Sequence, residues 1–280
     1  MIEPISLPMR MGVLLAMTAV LAPRALAHGD LHERIAEVTR QIEREPNRAD
    51  LRSKRADLHR RHRDWPAARS DLATARRLDP QLADLDFLAG LVEFEAGSPA
   101  AALELLEHQL TANPNHVAAR LCRARSLVAL DRAADAVRDY DVVLRTASDH
   151  VPDLYLERAR AQSAAGAAVA AVLQGLDEGI GRLGPVVSLQ SMAIDLELQR
   201  NDRQAAVRRI DQTLPTLPFR GPWLLHRGQV LEQDGRPAEA RDTYTTALRE
   251  LMAIPAARRR STVHQELEQQ LRKALEPRQR

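Results

Sequence analysis

Apolar residues along this chain recur three and four positions apart, the spacing that lines one face of an α-helix. Leu103, Leu106 and Leu110 form one such stripe, Val137, Tyr140 and Leu144 a second, and Ala240, Tyr244 and Leu248 a third. Turn-forming residues interrupt the stripes at Asp64-Trp65-Pro66, Gly97-Ser98-Pro99, Asp131-Arg132, Gly166, Asn201-Asp202 and Gly235-Arg236-Pro237. Pro just inside a helix start is tolerated because the N–H it lacks would have no partner there. Asp79-Pro80, Asn113-Pro114 and Leu217-Pro218 end helices, since the residue before proline is pushed out of helical conformation. The pattern predicts pairs of helices joined by short turns.

The pairs repeat at a fixed interval. Ala56, Gly90, Ala124, Ala159, Ile194 and Gly228 follow one another at steps of 34, 34, 35, 35 and 34 residues. Ala68, Ala102, Ala136, Ala171, Ala206 and Ala240 run in step with them, each twelve residues later. A period in the thirties marks stacked supersecondary units. Gly or Ala at a helix crossing lets two backbones approach, so that larger neighbours interlock around the contact. Two amphipathic helices flank the array. Residues 30–44 place Leu31, Ile35, Val38 and Ile42 on one face behind Asp30 as N-cap, and 262–275 place Val263, Leu267, Leu271 and Leu275 in the interior.

These positions resemble the tetratricopeptide repeat, a helix–turn–helix with Gly or Ala at position 8, Ala at 20, a bulky residue at 24, Ala at 27 and Pro at 32. Counted from Ala49, the first unit offers Ala56, Ala68, Leu72, Ala75 and Pro80; the second, from Ala83, offers Gly90, Ala102, Leu106 and Pro114. The third, from Val117, has Ala124, Ala136 and Tyr140, and the last, from Gly221, has Gly228, Ala240, Tyr244 and Ala247. The resemblance implies an all-α fold, a right-handed superhelical solenoid of about six such repeats, at 49–82, 83–116, 117–151, 152–186, 187–220 and 221–254. Capping helices are expected at 28–48 and 255–276, followed by a disordered tail at 277–280. Two units depart from the pattern. The fourth has Gly175 in place of the bulky residue, with Gly179 and Gly181 nearby, and each helix-interior Gly costs about 0.5–1 kcal/mol relative to Ala. Residues 168–183 are therefore expected to be the loosest internal helix. The fifth carries Ile194 at the small position and ends in Pro215, Pro218 and Pro222, which predicts a distorted junction.

Composition narrows the function. Aromatics make up 3% of the chain, and Lys54 and Lys273 are its only lysines among 40 basic residues. A net charge of +2 gives little support to nucleic-acid binding, which needs clustered positive charge. At the N-terminus, Arg10, the apolar run Met11 to Ala22 and the small residues of Ala25-Leu26-Ala27 read as a secretory leader cleaved before His28. The expected location is periplasmic or secreted, with no stable membrane insertion after cleavage, and translation starts at Met1, Met9 or Met11. Cys122 is the lone cysteine and is expected to be a small buried hydrophobe.

In the tetratricopeptide family the first helix of each unit lines a concave surface through positions 2, 5, 9, 12 and 13. The resemblance thus assigns partner binding to Phe87, Leu91, Phe94 and Leu121, bordered by Arg125 and Arg160. Aromatics and Arg most often carry interface energy. The alternative is that Phe87 and Phe94 pack against the neighbouring unit. Ser188, Ser191, Asp195 and Leu198 of the fifth unit and Leu225, Gln229 and Glu232 of the sixth fall on the same surface. The Lys and Asn of a carboxylate-clamping groove are replaced by Ser53 and Asp57, then Phe87 and Leu91, so that mode is not expected.

Candidate chemistry is sparse. His59 and His62 lie three apart on one helix, but Arg60, Arg61 and Arg63 surround them and oppose a cation. After cleavage His28 would offer an α-amine and an imidazole with His32 four positions on, a donor set suited to copper or nickel. Arg258-Arg259-Arg260 reads as a solvated basic turn. No phosphate loop or nucleophile–base set stands out, so the chain is expected to be neither an enzyme nor a cofactor binder. The reading is an exported scaffold binding a protein or peptide, in cell-envelope assembly or maturation as the resemblance implies. The alternatives are a periplasmic copper-binding protein using His28 and His32, and a regulatory subunit of a neighbouring enzyme.

Overall fold

A computed structural model describes residues 22–276, with side chains from Asp30 onward. Most of the expected leader, the His28 side chain and the tail 277–280 lie outside the described residues. The described chain is α-helical with two short 3-10 turns, and it divides into two compact units, one up to Gly97 and one from Ser98 onward.

The first unit holds α1 (Ala22–Arg44), α2 (Ala49–Arg61), α3 (Trp65–Leu78) and α4 (Leu85–Glu95). Asp30, expected to cap a helix, instead lies inside α1. The Ala-rich stretch before it has strong helix propensity and carries the helix back past that residue. Val38 and Ile42 of α1 seat on Leu51 and Leu58 of α2. Ala56 and Ala68, both fully buried, mark the crossing of α2 and α3, and Leu72, Ala75, Leu85 and Val92 close around them with Trp65 at the edge.

The second unit begins with α5 (Pro99–Ala112) and continues through α6 (Val117–Ala129), α7 (Ala133–Thr146), α8 (Pro152–Ala164), α9 (Val169–Leu183), α10 (Val187–Gln199) and α11 (Arg203–Thr213). A 3-10 turn at Leu214–Thr216 precedes α12 (Gly221–Gln233) and α13 (Pro237–Ala253), and another at Arg258–Arg260 precedes α14 (Thr262–Leu275). Ala124 and Ala136 are fully buried between α6 and α7, with Tyr140 beside them. The last core gathers Ile194, Ala206, Ile210, Val230, Tyr244 and Leu251, with Trp223 packed on it and Leu267 and Leu271 of α14 covering its end. Ile194 reaches this core from the small-residue position, and the junction after α11 tightens into the 3-10 turn that contains Pro215. Val263, expected inside, is 62% exposed, because α14 packs through Leu267 and Leu271 one and two turns further on.

One conformational device recurs in every hairpin. The residue two after the first helix's last turn adopts a left-handed conformation: Arg63, Gly97, Asp131, Gly166, Asn201 and Gly235. In five of these six hairpins the next N–H bonds back five residues, from Asp64 to His59 O, Arg132 to Leu127 O, Ala167 to Gln162 O, Asp202 to Glu197 O and Arg236 to Leu231 O, at 2.8–2.9 Å. This is the Schellman closure, which satisfies carbonyls that would otherwise end unpaired. Asp64 and Asp202 then start the following helices by accepting from Ala67 N and Ala205 N.

Residues 168–183 are expected from sequence to be the loosest internal helix, yet two glycines of α9 sit against side chains of α8. A Cβ on Gly179 would lie 2.7 Å from the Tyr155 ring, and one on Gly175 would lie 3.0 Å from Nη2 of Arg158. Both residues of α8 are buried. Gly175 and Gly179 are notches filled by α8, Gly181 faces open space, and Leu173, Leu176 and Val172 pack in the same core.

Candidate functional site

The six residues assigned to partner binding fall three in each compact unit. Phe87, Leu91 and Phe94 share α4, all half-buried. In the second unit, Leu121 and Arg125 lie one turn apart on α6, and Arg160 lies on α8. Leu121 is half-buried against the α7–α8 core. Arg125 is exposed but committed: its guanidinium makes a two-point pair with Glu157 of α8, Nε–Oε2 3.0 Å and Nη2–Oε1 2.9 Å. That pairing holds its pKa above the usual arginine value. Glu157 also accepts from the Tyr140 hydroxyl at 3.0 Å, and burial followed by the Glu157 charge keeps that phenol protonated.

Arg160 differs. It is exposed, and among the described residues it has neither an ion pair nor a side-chain hydrogen bond. The corresponding register on successive first helices reads Arg125, Arg160, Asp195 and Gln229, at steps of 35, 35 and 34 residues. Asp195 stands exposed on α10, yet loss of water around its carboxyl raises its pKa, an effect only partly offset by His226 of α12. The same desolvation lowers the His226 pKa, partly offset by Asp195. Helices α8 and α10 pack directly on one another. On adjacent helices this face therefore presents an exposed cation and an exposed anion that form no ion pair among the described residues, the anion feeling the nearby His226.

The histidines separate. His62 turns towards α1, where its ring meets that of His32 edge-on at a centroid distance of 4.5 Å. His59 faces the other way, with Nε2 3.9 Å from Asp71 and Nδ1 3.9 Å from Asp64. Its Nδ1 is buried without a hydrogen-bond partner, and burial lowers the imidazole pKa. No group of three potential metal ligands occurs among the described residues. In the basic turn, Arg259 donates to Ile254 O at 2.9 Å, while Arg258 and Arg260 remain exposed.

A set of buried ion pairs escaped the sequence reading. Asp71 receives Arg55 through two bonds of 2.6 and 2.7 Å and Arg52 at 3.5 Å. Asp139 receives Arg123 through two bonds of 2.7 Å and Arg120 at 3.2 Å. The two triads have identical internal offsets of 16 and 19 residues. Both aspartates are less than 5% exposed. Each triad pins the two helices of one hairpin together, leaving these arginines committed to the fold.

The helical hairpins with small residues at their crossings, repeated through both units, define a helical-repeat protein. The family model described as tetratricopeptide repeat matches residues 53–117, 87–152 and 191–253. The chain belongs to the tetratricopeptide repeat family. Solved structures agree on the fold. A tetratricopeptide repeat protein from Parabacteroides merdae aligns over 88% of this chain and 94% of its own, at 18% identity and a TM-score of 0.54. YrrB, described as a repeat protein with an unusual peptide-binding site, aligns over 65% of this chain and 92% of its own, at 16% identity and a TM-score of 0.54. PilF of Pseudomonas aeruginosa aligns over 81% and 99%, at 15% identity and a TM-score of 0.51. No curated protein matches the chain by sequence.

Proposed function

We propose that the chain is an exported, non-enzymatic scaffold that binds a protein or peptide partner through the exposed face of its first helices. The observation that carries this reading is the register Arg125, Arg160, Asp195 and Gln229, which repeats on one face of α6, α8, α10 and α12 while the opposite faces fill the cores. A surface whose positions recur with the repeat, and on which Arg160 and Asp195 form no ion pair within the fold, is suited to an extended ligand. The aromatic pair on α4 offers a separate apolar contact in the first unit. A role in cell-envelope assembly or maturation follows if the leader is removed. Mass analysis of protein recovered from the periplasm should give a chain starting at His28, and an uncleaved chain would refute export by this route. For partner binding, the test is co-purification of cross-linked partners with the wild type and with Phe87→Ala/Phe94→Ala and Arg125→Ala/Arg160→Ala variants. Partners retained unchanged by both variants would exclude these faces.

A second reading, copper binding by His32 with the His28 terminus, gains one supporting observation, the His62 ring 4.5 Å from that of His32. Copper titration of the cleaved protein and of its His32→Ala variant tests it. Equal affinity in the two would exclude His32.

A further inference from the structure

Arg160 and Asp195 are the point of interest. Several arginines and aspartates of this chain pair across helices: Arg55 with Asp71, Arg123 with Asp139, Arg227 with Asp211, and Arg209 with Asp177. Arg160 and Asp195 occupy equivalent positions on the packed neighbours α8 and α10, yet they pair neither with each other nor with any other side chain at ion-pair distance. Two exposed opposite charges without ion pairs on adjacent helices leave two electrostatic demands of opposite sign open. The axes of packed helices lie roughly 8–10 Å apart, which gives the scale of the spacing between the two positions.

A ligand that meets both demands must carry both signs. Nucleic acid and anionic lipid supply only negative charge, and Asp195 repels them. A polypeptide supplies both. On an extended chain, side chains on one face recur every second residue at about 6.6 Å, so partners two or four residues apart bracket the helix spacing. Arg offers a planar donor fork suited to a carboxylate. Asp195 offers an exposed carboxylate suited to a cation.

Resting on the partner-binding reading above, we infer that α8 and α10 hold a zwitterionic segment of a partner chain, its acidic side chain on Arg160 and its basic side chain, two or four residues away, on Asp195. The order of the two charges is then read by the face, and a segment with its signs interchanged is rejected by like-charge contact at both positions. Ser191 and Met192, both half-buried, lie one turn before Asp195 on α10, and the partly accessible Met192 offers an adaptable apolar contact to the residue between the two charges.

The test is selection from a random twelve-residue peptide library displayed on phage, run against the full-length mature protein and against an Arg160→Glu/Asp195→Lys charge swap. An Arg160→Gln/Asp195→Asn variant serves as a milder control, and circular dichroism verifies that both variants keep wild-type helicity. The wild type should enrich peptides with an acidic and a basic residue two or four apart. The swap should enrich the same spacing with the signs reversed, and should bind wild-type winners about tenfold more weakly. Enrichment of peptides without this charge pattern, or of the same peptides by wild type and swap, overturns the inference while leaving peptide binding intact. Enrichment of nothing overturns both.

Discussion

Asp71 and Asp139 each neutralise two arginines inside a hairpin, and the energetic consequence is asymmetric. Replacing one aspartate by alanine strands two guanidinium groups in a partly buried site, and breaking a buried pair in this way typically costs about 3–5 kcal/mol. Asp71→Ala and Asp139→Ala should therefore lower the urea midpoint far more than Asp50→Ala, whose pair with Arg48 is half-exposed on both sides. Equal losses at the three sites would refute the assignment. Arg63 presents the opposite case. It takes the left-handed turn position that Gly, Asn or Asp fills in the other hairpins, with φ of 63°. A non-glycine residue there pays a conformational penalty of about 1 kcal/mol. Arg63→Gly should stabilise the protein by up to about that amount, and Gly235→Ala, at φ 75°, should destabilise it similarly. Equilibrium denaturation reads both.

Among the elements, α9 carries the clearest test. Ala at 179 would press into the Tyr155 ring, and Ala at 228 of α12 into that of Tyr244. Overpacking of this kind costs about 1–3 kcal/mol. The same packing predicts that amide exchange in α9 matches that of α7 and α11. Exchange markedly faster in α9 than in both would restore the view that its glycines loosen it. Much of the fold could be read beforehand because its signals are local and repeated: apolar stripes, proline ends and small residues in phase. What stayed hidden depends on pairs of elements. A glycine looks like a defect until the ring that fills it is seen on the neighbouring helix. Arg55 and Asp71 lie on different helices, and their offset recurs in only one other unit, so no single segment advertises it. Of the candidate site, Arg125 and Arg160 look equivalent as letters. Only the placement of Glu157 separates a committed charge from an available one.

For the chain as a whole, proton linkage gives a test that reaches both compact units. Burial lowers the pKa of His59 in the first and of His226 in the second below the ordinary imidazole value, against the opposing pull of nearby aspartates. Unfolding releases both to an ordinary pKa of about 6.5, so below that pH the unfolded chain binds protons that the folded chain refuses. Stability should be fully present above pH about 6.5 and decline as acid is added through the interval below it. Urea midpoints at pH 7.5 and 5.5 should differ in that direction, and the difference should shrink in a His59→Gln/His226→Gln variant. An unchanged difference in that variant would place the effect elsewhere. The chain's only two tryptophans happen to lie one in each unit, Trp65 at the edge of the first core and Trp223 against the last. Replacing either by phenylalanine leaves a single emitter, so indole fluorescence from the two variants can time the melting of each half without any attached dye.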